Sequence, residues 1–400
     1  MPKKAKKPRP KKPWQKLLDF VELYKAQCVL FDVPKIDEVE ELYNPIIEKK
    51  GKKIPQIIQF ADMKIQPIQL RPLIEAYKKS EFRVKIFSLL NTETGDEGLH
   101  VLEHIFDEPM EVVGFAYHAN KTGPSGCRAL ARGFVRSKFL SILELDFNPT
   151  IGDEGIAGLT YYGHCPTLSR LSLKFCDIGD AGATFLGRWI ADGNCKIKEL
   201  YLNGNKIGPI GAIAFAEELG RNNSLNRVEL NDNVFGYSLD AMNALHDGIA
   251  SCPTLQYVSL LNNFEVPEGI PEKFCELVQS KPLGECVLTV KMDTFFFQNM
   301  KAYSLTNKRK MVKEAKRLAR EARKNKGTST APPTQPEGTT APASANATQP
   351  TTQTPSQQPT EAPSGSTSAR PTSPAPSSSL STRAQLGTPN LQEAEEGPKN

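Results

Sequence analysis

Much that would point to an enzyme or a membrane protein is missing from this 400-residue chain. Histidine occurs five times, and the pair His100 and His104 reads H-V-L-E-H, without the Glu placement of an H-E-x-x-H metal motif. These histidines are expected to be exposed helix side chains. No G-x-x-x-x-G-K-[ST] phosphate loop and no G-x-S-x-G nucleophile elbow occurs. The eight cysteines (28, 127, 165, 176, 195, 252, 275 and 286) include no C-x-x-C pair. That spacing speaks against a disulfide framework or a zinc site and for buried thiols in a reducing compartment. No apolar run approaches the roughly 18 residues that span a bilayer, and the basic start MPKKAKKPRPKKPW has no secretory h-region behind it. From Gly327 to Asn400 there is no aromatic residue, and Leu380, Leu386 and Leu391 are almost all there is to bury. Such a segment cannot offset its ordering entropy and is expected to be disordered. No catalytic residue, cofactor or metal site is assigned, and the chain is read as a non-enzyme.

Charge of one sign is also missing where averages conceal it. Of a net +5, residues 1–12 carry +7, residues 301–326 carry +9 and residues 327–400 carry −2, which leaves 13–300 at −9. An acidic body is flanked by two basic segments.

What the body does contain is a repeat. Gly98, Gly126, Gly155, Gly182 and Gly211 fall 27 to 29 residues apart within TGDEG, TGPSG, IGDEG, IGDAG and IGPIG. An apolar-x-apolar pair precedes the turn in six units: Phe115/Tyr117, Leu143/Leu145, Leu171/Leu173, Leu200/Leu202, Val228/Leu230 and Val258/Leu260. Three residues past each pair stands Asn120, Asn148, Cys176, Asn205, Asn233 or Asn263. Two weaker units precede these, one with Ile58/Phe60 and Met63, the other with Ile86/Ser88 and Asn91. About eight units are expected from Ile54 to Lys281, with CVLTVKM (286–292) as a ninth or a cap. The pair is a period-2 strand with alternate side chains inward. The Asn amide satisfies backbone groups where the chain leaves the strand. The Gly is placed at the turn into a segment with helical spacing (Ala183, Leu186, Ile190). Strand plus helix in each unit, stacked in parallel, makes an α/β solenoid, right-handed, with strands on the concave side.

The units LSRLSLKFCDIGDAGATFLGRWI and IKELYLNGNKIGPIGAIAFAEEL resemble the leucine-rich repeat family, specifically its long, ribonuclease-inhibitor-like class. The resemblance covers about 54–281 and implies a horseshoe that binds proteins, with no particular partner named. The expected layout is a basic arm at 1–13, a helical N-terminal cap at 14–53, the solenoid with its C-terminal cap at 54–300, a basic helix at 301–326 and a Ser/Thr/Pro-rich disordered tail at 327–400. TFFFQNM (294–300) is expected to pack on the last coil.

Two surfaces are candidates for function. On the concave face, side chains flanking the inward pairs are Glu144, Asp146, Phe147, Lys174, Phe175, Tyr201, Asn203, Glu229, Asn231 and Asp232. Phe147 and Phe175 hold one register in adjacent units; either they form an exposed patch or their rings fold back onto the coil. Exposed aromatics bordered by acids suit a protein partner of basic or mixed charge. The second surface is the basic helix, with Lys308, Arg309, Lys310, Lys313, Lys316, Arg317, Arg320, Arg323 and Lys324 set almost all round it. It suits an acidic polymer: microtubule, nucleic acid or anionic lipid. No aromatic interrupts its cations, which speaks against stacking of single-stranded bases.

Three functional readings follow. The first is a cytoplasmic scaffold on a cytoskeletal or ciliary lattice, a layout similar to axoneme components and to actin-capping relatives of tropomodulin. The second is a GTPase regulator resembling the Ran GTPase-activating proteins, although those carry an acidic segment after the repeats where this chain is basic. The third is a nuclear, nucleic-acid-associated adaptor.

Overall fold

The computed structural model describes residues 10–288 and 295–326. Expectations that fall on 1–9, on 289–294 and on 327–400 lie outside the described residues, as do the side chains of Phe295, Phe296, Phe297 and Lys324.

Short parallel strands follow one another in chain order: β1 (Ile57–Ala61), β2 (Ile86–Leu90), β3 (Gly114–His118), β4 (Ile142–Glu144), β5 (Arg170–Ser172), β6 (Glu199–Tyr201), β7 (Arg227–Glu229), β8 (Tyr257–Leu260) and β9 (Glu285–Leu288). Each pairs only with its sequence neighbours, in one nine-stranded sheet. Between successive strands runs a helix: α3 (Leu70–Lys79), α4 (Gly95–Leu102), α5 (Pro124–Phe134), α6 (Gly152–Thr160), α7 (Asp180–Ala191), α8 (Pro209–Leu219), α9 (Leu239–Ser251) and α10 (Ile270–Ser280). The architecture is an α/β leucine-rich-repeat-like solenoid, and CVLTVKM supplies a ninth strand through Glu285–Leu288.

Period-2 alternation explains the strands. Leu171 and Leu173, and likewise Leu200 and Leu202, are fully buried between the sheet and the helices. At roughly 25 cal/mol per Å² of apolar surface, such continuous stacking is the main stabilising term. The buried asparagines form a ladder along one edge of that core. Asn205 Oδ1 accepts from the Cys176 amide at 3.0 Å while its Nδ2 donates to Leu173 O at 2.9 Å. Asn263 and Asn233 repeat the pattern two coils on, where Asn263 Oδ1 accepts from the Asn233 amide at 3.0 Å. Cys176 stands in for Asn by donating its thiol to Leu145 O at 3.2 Å. Burial pushes that thiol up to about 12.

Two expectations need correction. In the second unit the inward pair is Phe87/Leu89, paired with Phe115 and Tyr117, so Ile86 and Ser88 face the concave side. The ladder residue there is Thr92, whose amide and hydroxyl both reach Asn120 Oδ1, while Asn91 bonds Asp62 outside the core. The register in that unit is one residue later than the text suggests. The ruler glycines, in turn, lie inside helices and not at turns. A Cβ on Gly182 would meet Asp153 Oδ1 at 2.6 Å, and one on Gly211 would meet the Asp180 Cα at 2.6 Å. Glycine is there so that each helix start can approach the preceding one. The same approach lets Asp153 Oδ1 accept from the Gly179 amide at 2.7 Å, and Asp180 Oδ1 from the Gly208 amide at 2.7 Å. The Asp of each D-x-G thus satisfies an orphan donor and the dipole of the next helix.

Two helices, α1 (Pro13–Phe31) and α2 (Asp37–Glu48), cover the first coil. Phe20 packs on Tyr77 with ring centroids 4.4 Å apart and on Phe82 at 5.1 Å. Tyr43 and Tyr77 share a hydrogen bond of 3.2 Å in this apolar setting. At the other end α11 (Phe295–Lys326) is one continuous helix. Its first half docks: Met300 is buried, and Asn307 Nδ2 donates to Val278 O and Leu283 O, both at 3.0 Å.

Candidate functional site

The chain bends at the residue just before each ladder position, whether that position holds Asn, Thr or Cys. In coil after coil that preceding residue is left-handed: Asp62, Asn91, Ala119, Phe147, Phe175, Gly204, Asp232 and Asn262 have φ between 50° and 70°. Asp, Asn and Gly tolerate this conformation, whereas a bulky side chain pays in Cβ–carbonyl crowding, about 1 kcal/mol or more. Coils four and five nevertheless place phenylalanine there. The two rings stack nearly flat, with centroids 5.0 Å apart and planes at 8°. Phe175 in turn lies on Gly204, where a Cβ would come within 2.2 Å of its ring. Phe147 stays 52% and Phe175 44% exposed. The rings therefore fold onto each other and onto Gly204, and still leave an open aromatic terrace along the lip.

The strand rows beside the terrace divide into paired charge and polar bridges. His118 Nε2 lies 3.6 Å from Glu144 Oε2, and that contact, with burial opposing it, holds the Glu144 carboxyl below its usual range. Arg170 Nε donates to Glu199 Oε2 at 2.7 Å, and the Tyr201 hydroxyl donates to the same oxygen at 3.0 Å. Burial alone would raise Glu199, yet these two donors lower it overall. Burial and Glu199 push Tyr201 up to about 12. Lys174 Nζ sits 4.8 Å over the Tyr201 ring, and Arg227 lies 4.4 Å over that of Tyr257. Arg227 also pairs with Glu229 at 3.2 Å.

Several residues that pattern alone placed on the surface are spent on the fold. Asp146 is buried, accepting from the Ser172 hydroxyl at 2.6 Å and the Lys174 amide at 2.9 Å. Ala116 and Ser172 are buried as well. Asn203 accepts from the Asn231 amide at 3.0 Å and donates to Glu229, while Asn231 accepts from Ser259 Oγ at 2.7 Å and the Leu261 amide at 2.8 Å. These three make a second ladder, two residues before the first. Asp232 accepts from Asn262 Nδ2 at 2.9 Å. Sequence reading passed over Arg170, Glu199, Arg227 and Tyr257. All four occupy one register row on the concave face, and counting back in steps of two from Ser172 or Tyr201 would have found them. The acids are matched by these cations, so the face is mixed in charge, not acidic.

The second candidate surface lies on α11. Residues 308–310, 312–323 are exposed there, with Arg317 clamped by Glu314 at 2.9 Å and Glu321 at 2.6 Å. Among the described residues no group of three or more His, Cys, Asp or Glu could hold a metal ion, and no helix is long and apolar enough to cross a membrane.

Comparison with known families decides what the solenoid is made of. Residues 136–159, 164–187 and 193–216 match the family profile described as Leucine Rich repeat. These three stretches match leucine-rich repeats, and the other coils share their strand–helix architecture. The three matched stretches are coils four to six, the ones that carry Phe147, Phe175 and Gly204. No curated protein sequence matches the chain. Among solved structures the chain is similar to one titled Leiomodin-1 Actin-Binding Site 2 (ABS2), at 11% identity, covering 56% of this chain and 96% of that one, with a TM-score of 0.34. At that score the likeness carries no functional argument. Leucine-rich repeats suggest a protein-interaction scaffold.

Proposed function

We propose that the protein is a non-enzymatic scaffold whose concave face docks a protein partner and whose basic segments tether it to an acidic polymer. One observation carries the first half: the stacked Phe147–Phe175 pair, held exposed in a backbone conformation that phenylalanine disfavours. Five of the other six coils use Asp, Asn or Gly at that position, which relieves the strain. A strained, exposed aromatic pair on a rigid lip is better accounted for by binding than by folding. The mixed charges of Glu144, Lys174 and Glu229 around it, with the neutral Tyr201 hydroxyl among them, suit a partner of mixed charge.

The repeats fit the long, ribonuclease-inhibitor-like class, since paired strands are 28 to 30 residues apart and most units carry an α-helix of eight residues or more. For the tether, a cytoskeletal or ciliary lattice in the cytoplasm is one acidic polymer that the layout suits. Nucleic acid, with a nuclear address, is the other. A GTPase-regulator role has no feature of the site in its favour. The test is affinity capture with quantitative mass spectrometry, comparing full-length wild type with Phe147→Ala/Phe175→Ala. Loss of a discrete partner set, with the melting curve kept, is expected. An unchanged partner set would contradict the reading.

A further inference from the structure

Helical geometry sorts the cations of α11 more finely than composition does. At about 100° per residue, Arg309, Lys313, Lys316, Arg320 and Arg323 follow one another at steps of four and three and fall on one narrow stripe. Met300, Asn307 and Met311, which dock the helix on the last coil, lie about half a turn away on the same wheel. Glu314 and Glu321 fall on the docking side, where they occupy Arg317. The stripe thus points away from the body, all five of its side chains are exposed, and none joins an ion pair among the described residues. Among cations set almost all round the helix, these five make a rail with five charges over about 21 Å, one every 5 Å or so.

We infer that this rail binds the phosphate backbone of a nucleic-acid duplex, without reading its sequence. The inference rests on the tether reading above and names its polymer. A straight rigid row of fixed charges matches a rigid polyanion with fixed charge spacing. Over about 21 Å of B-form axis the two strands together carry roughly twelve phosphates, and those of both strands that turn toward a straight rail across the groove are enough to engage its five cations. Three of the five are arginines, whose planar fork engages phosphate oxygens in pairs. The rail has no apolar or aromatic residue within it, so neither membrane insertion nor base stacking has a foothold. A flexible acidic polypeptide gains nothing from a linear array and is the rival occupant.

The experiment uses the full-length protein with a labelled 20-base-pair DNA duplex of arbitrary sequence, titrated from 50 to 200 mM salt, and labelled poly-glutamate of equal charge as the second probe. The rail variant is R309Q/K313Q/K316Q/R320Q/R323Q; the control, off the rail, is K308Q/K310Q/R317Q. Circular dichroism checks that both keep the helix. Each phosphate contact contributes about −0.9 to the slope of log affinity against log salt, so the rail variant's slope should be shallower than wild type by about 4.5. Its affinity at the lowest salt should fall at least 30-fold, and that of the control less than 5-fold. Equal binding by wild type and rail variant, or equal losses in both variants, would overturn the inference. Capture of poly-glutamate in preference to duplex would also overturn it while leaving the tether standing. Failure of both probes would remove the tether itself.

Discussion

The lip of coils four and five and the lip of coils six to eight share one backbone and differ in what stands on it. Gly204, Asp232 and Asn262 answer the left-handed bend with residues suited to it. Phe147 and Phe175 answer the same bend with residues that resist it. Where the side chain agrees with the backbone, local stability alone explains the choice. Where it disagrees, something outside the folding of the coil has selected it. The same contrast runs through the rows behind the lip. Asn203, Asn231 and Asp146 bridge coils and belong to the fold. Lys174, Tyr201 and the terrace above them have surface to spare.

Four substitutions break or sharpen that contrast. Leu202→Asp places a charge in the continuous core and should abolish cooperative unfolding near the native midpoint, a loss of more than about 4 kcal/mol. A native thermal melt would contradict the register. Asn205→Ala should cost about 2–3 kcal/mol in urea denaturation, because the Cys176 amide and the Leu173 carbonyl lose their buried partner. Asn203→Ala, on the second and more exposed ladder, should cost about 1 kcal/mol, and equal values would erase the distinction between the ladders. Gly204→Ala adds a Cβ to a left-handed residue and drives it into the Phe175 ring, for a loss of about 2 kcal/mol. In a Phe175→Ala background the steric part of that loss should disappear, leaving about 1 kcal/mol. A double-mutant cycle without coupling would show that the ring does not rest on Gly204.

The smallest effect is electrostatic. His118 first, and Arg170 and Lys174 more distantly, hold Glu144 below its usual range against the effect of burial. A depressed carboxylate adds stability that is present above its unfolded value, near 4.5, and is lost as pH falls through the folded value. Glu144→Gln should therefore weaken the protein slightly at pH 6 and less as the pH falls toward 3. The reverse order would refute the assignment.

How much of this was legible in the sequence depends on how strongly each signal is repeated. The solenoid follows from Leu-x-Leu pairs and asparagines in phase, because every coil must present the same inward pair and the same ladder group. The second unit misled because Thr92 does the ladder's work with a hydroxyl, so that Asn91 next to it looked like the ladder residue. The ruler glycines were visible while their reason was not: a close approach between neighbouring helices is a property of two coils and appears in neither alone. On the concave face, period-2 counting separates inside from outside but does not tell Asp146, which bridges to the next coil's backbone, from Lys174, whose side chain reaches the Tyr201 ring. The rail of α11 was fully encoded at steps of three and four, and only the position of Met300, Asn307 and Met311 against the last coil shows which way it points.

The central claim is that the terrace of coils four and five is kept for binding against the preference of its own backbone. The direct measurement is the urea midpoint of Phe147→Asn/Phe175→Asn beside wild type, with partner capture on the same samples. Relief of the left-handed strain, about 1 kcal/mol at each site, should offset the lost ring stacking of about 0.5–1.5 kcal/mol. The account predicts a midpoint equal to or above wild type together with lost capture. A midpoint lowered by more than about 2 kcal/mol of stability, with capture intact, would show that the rings serve the fold and would contradict it.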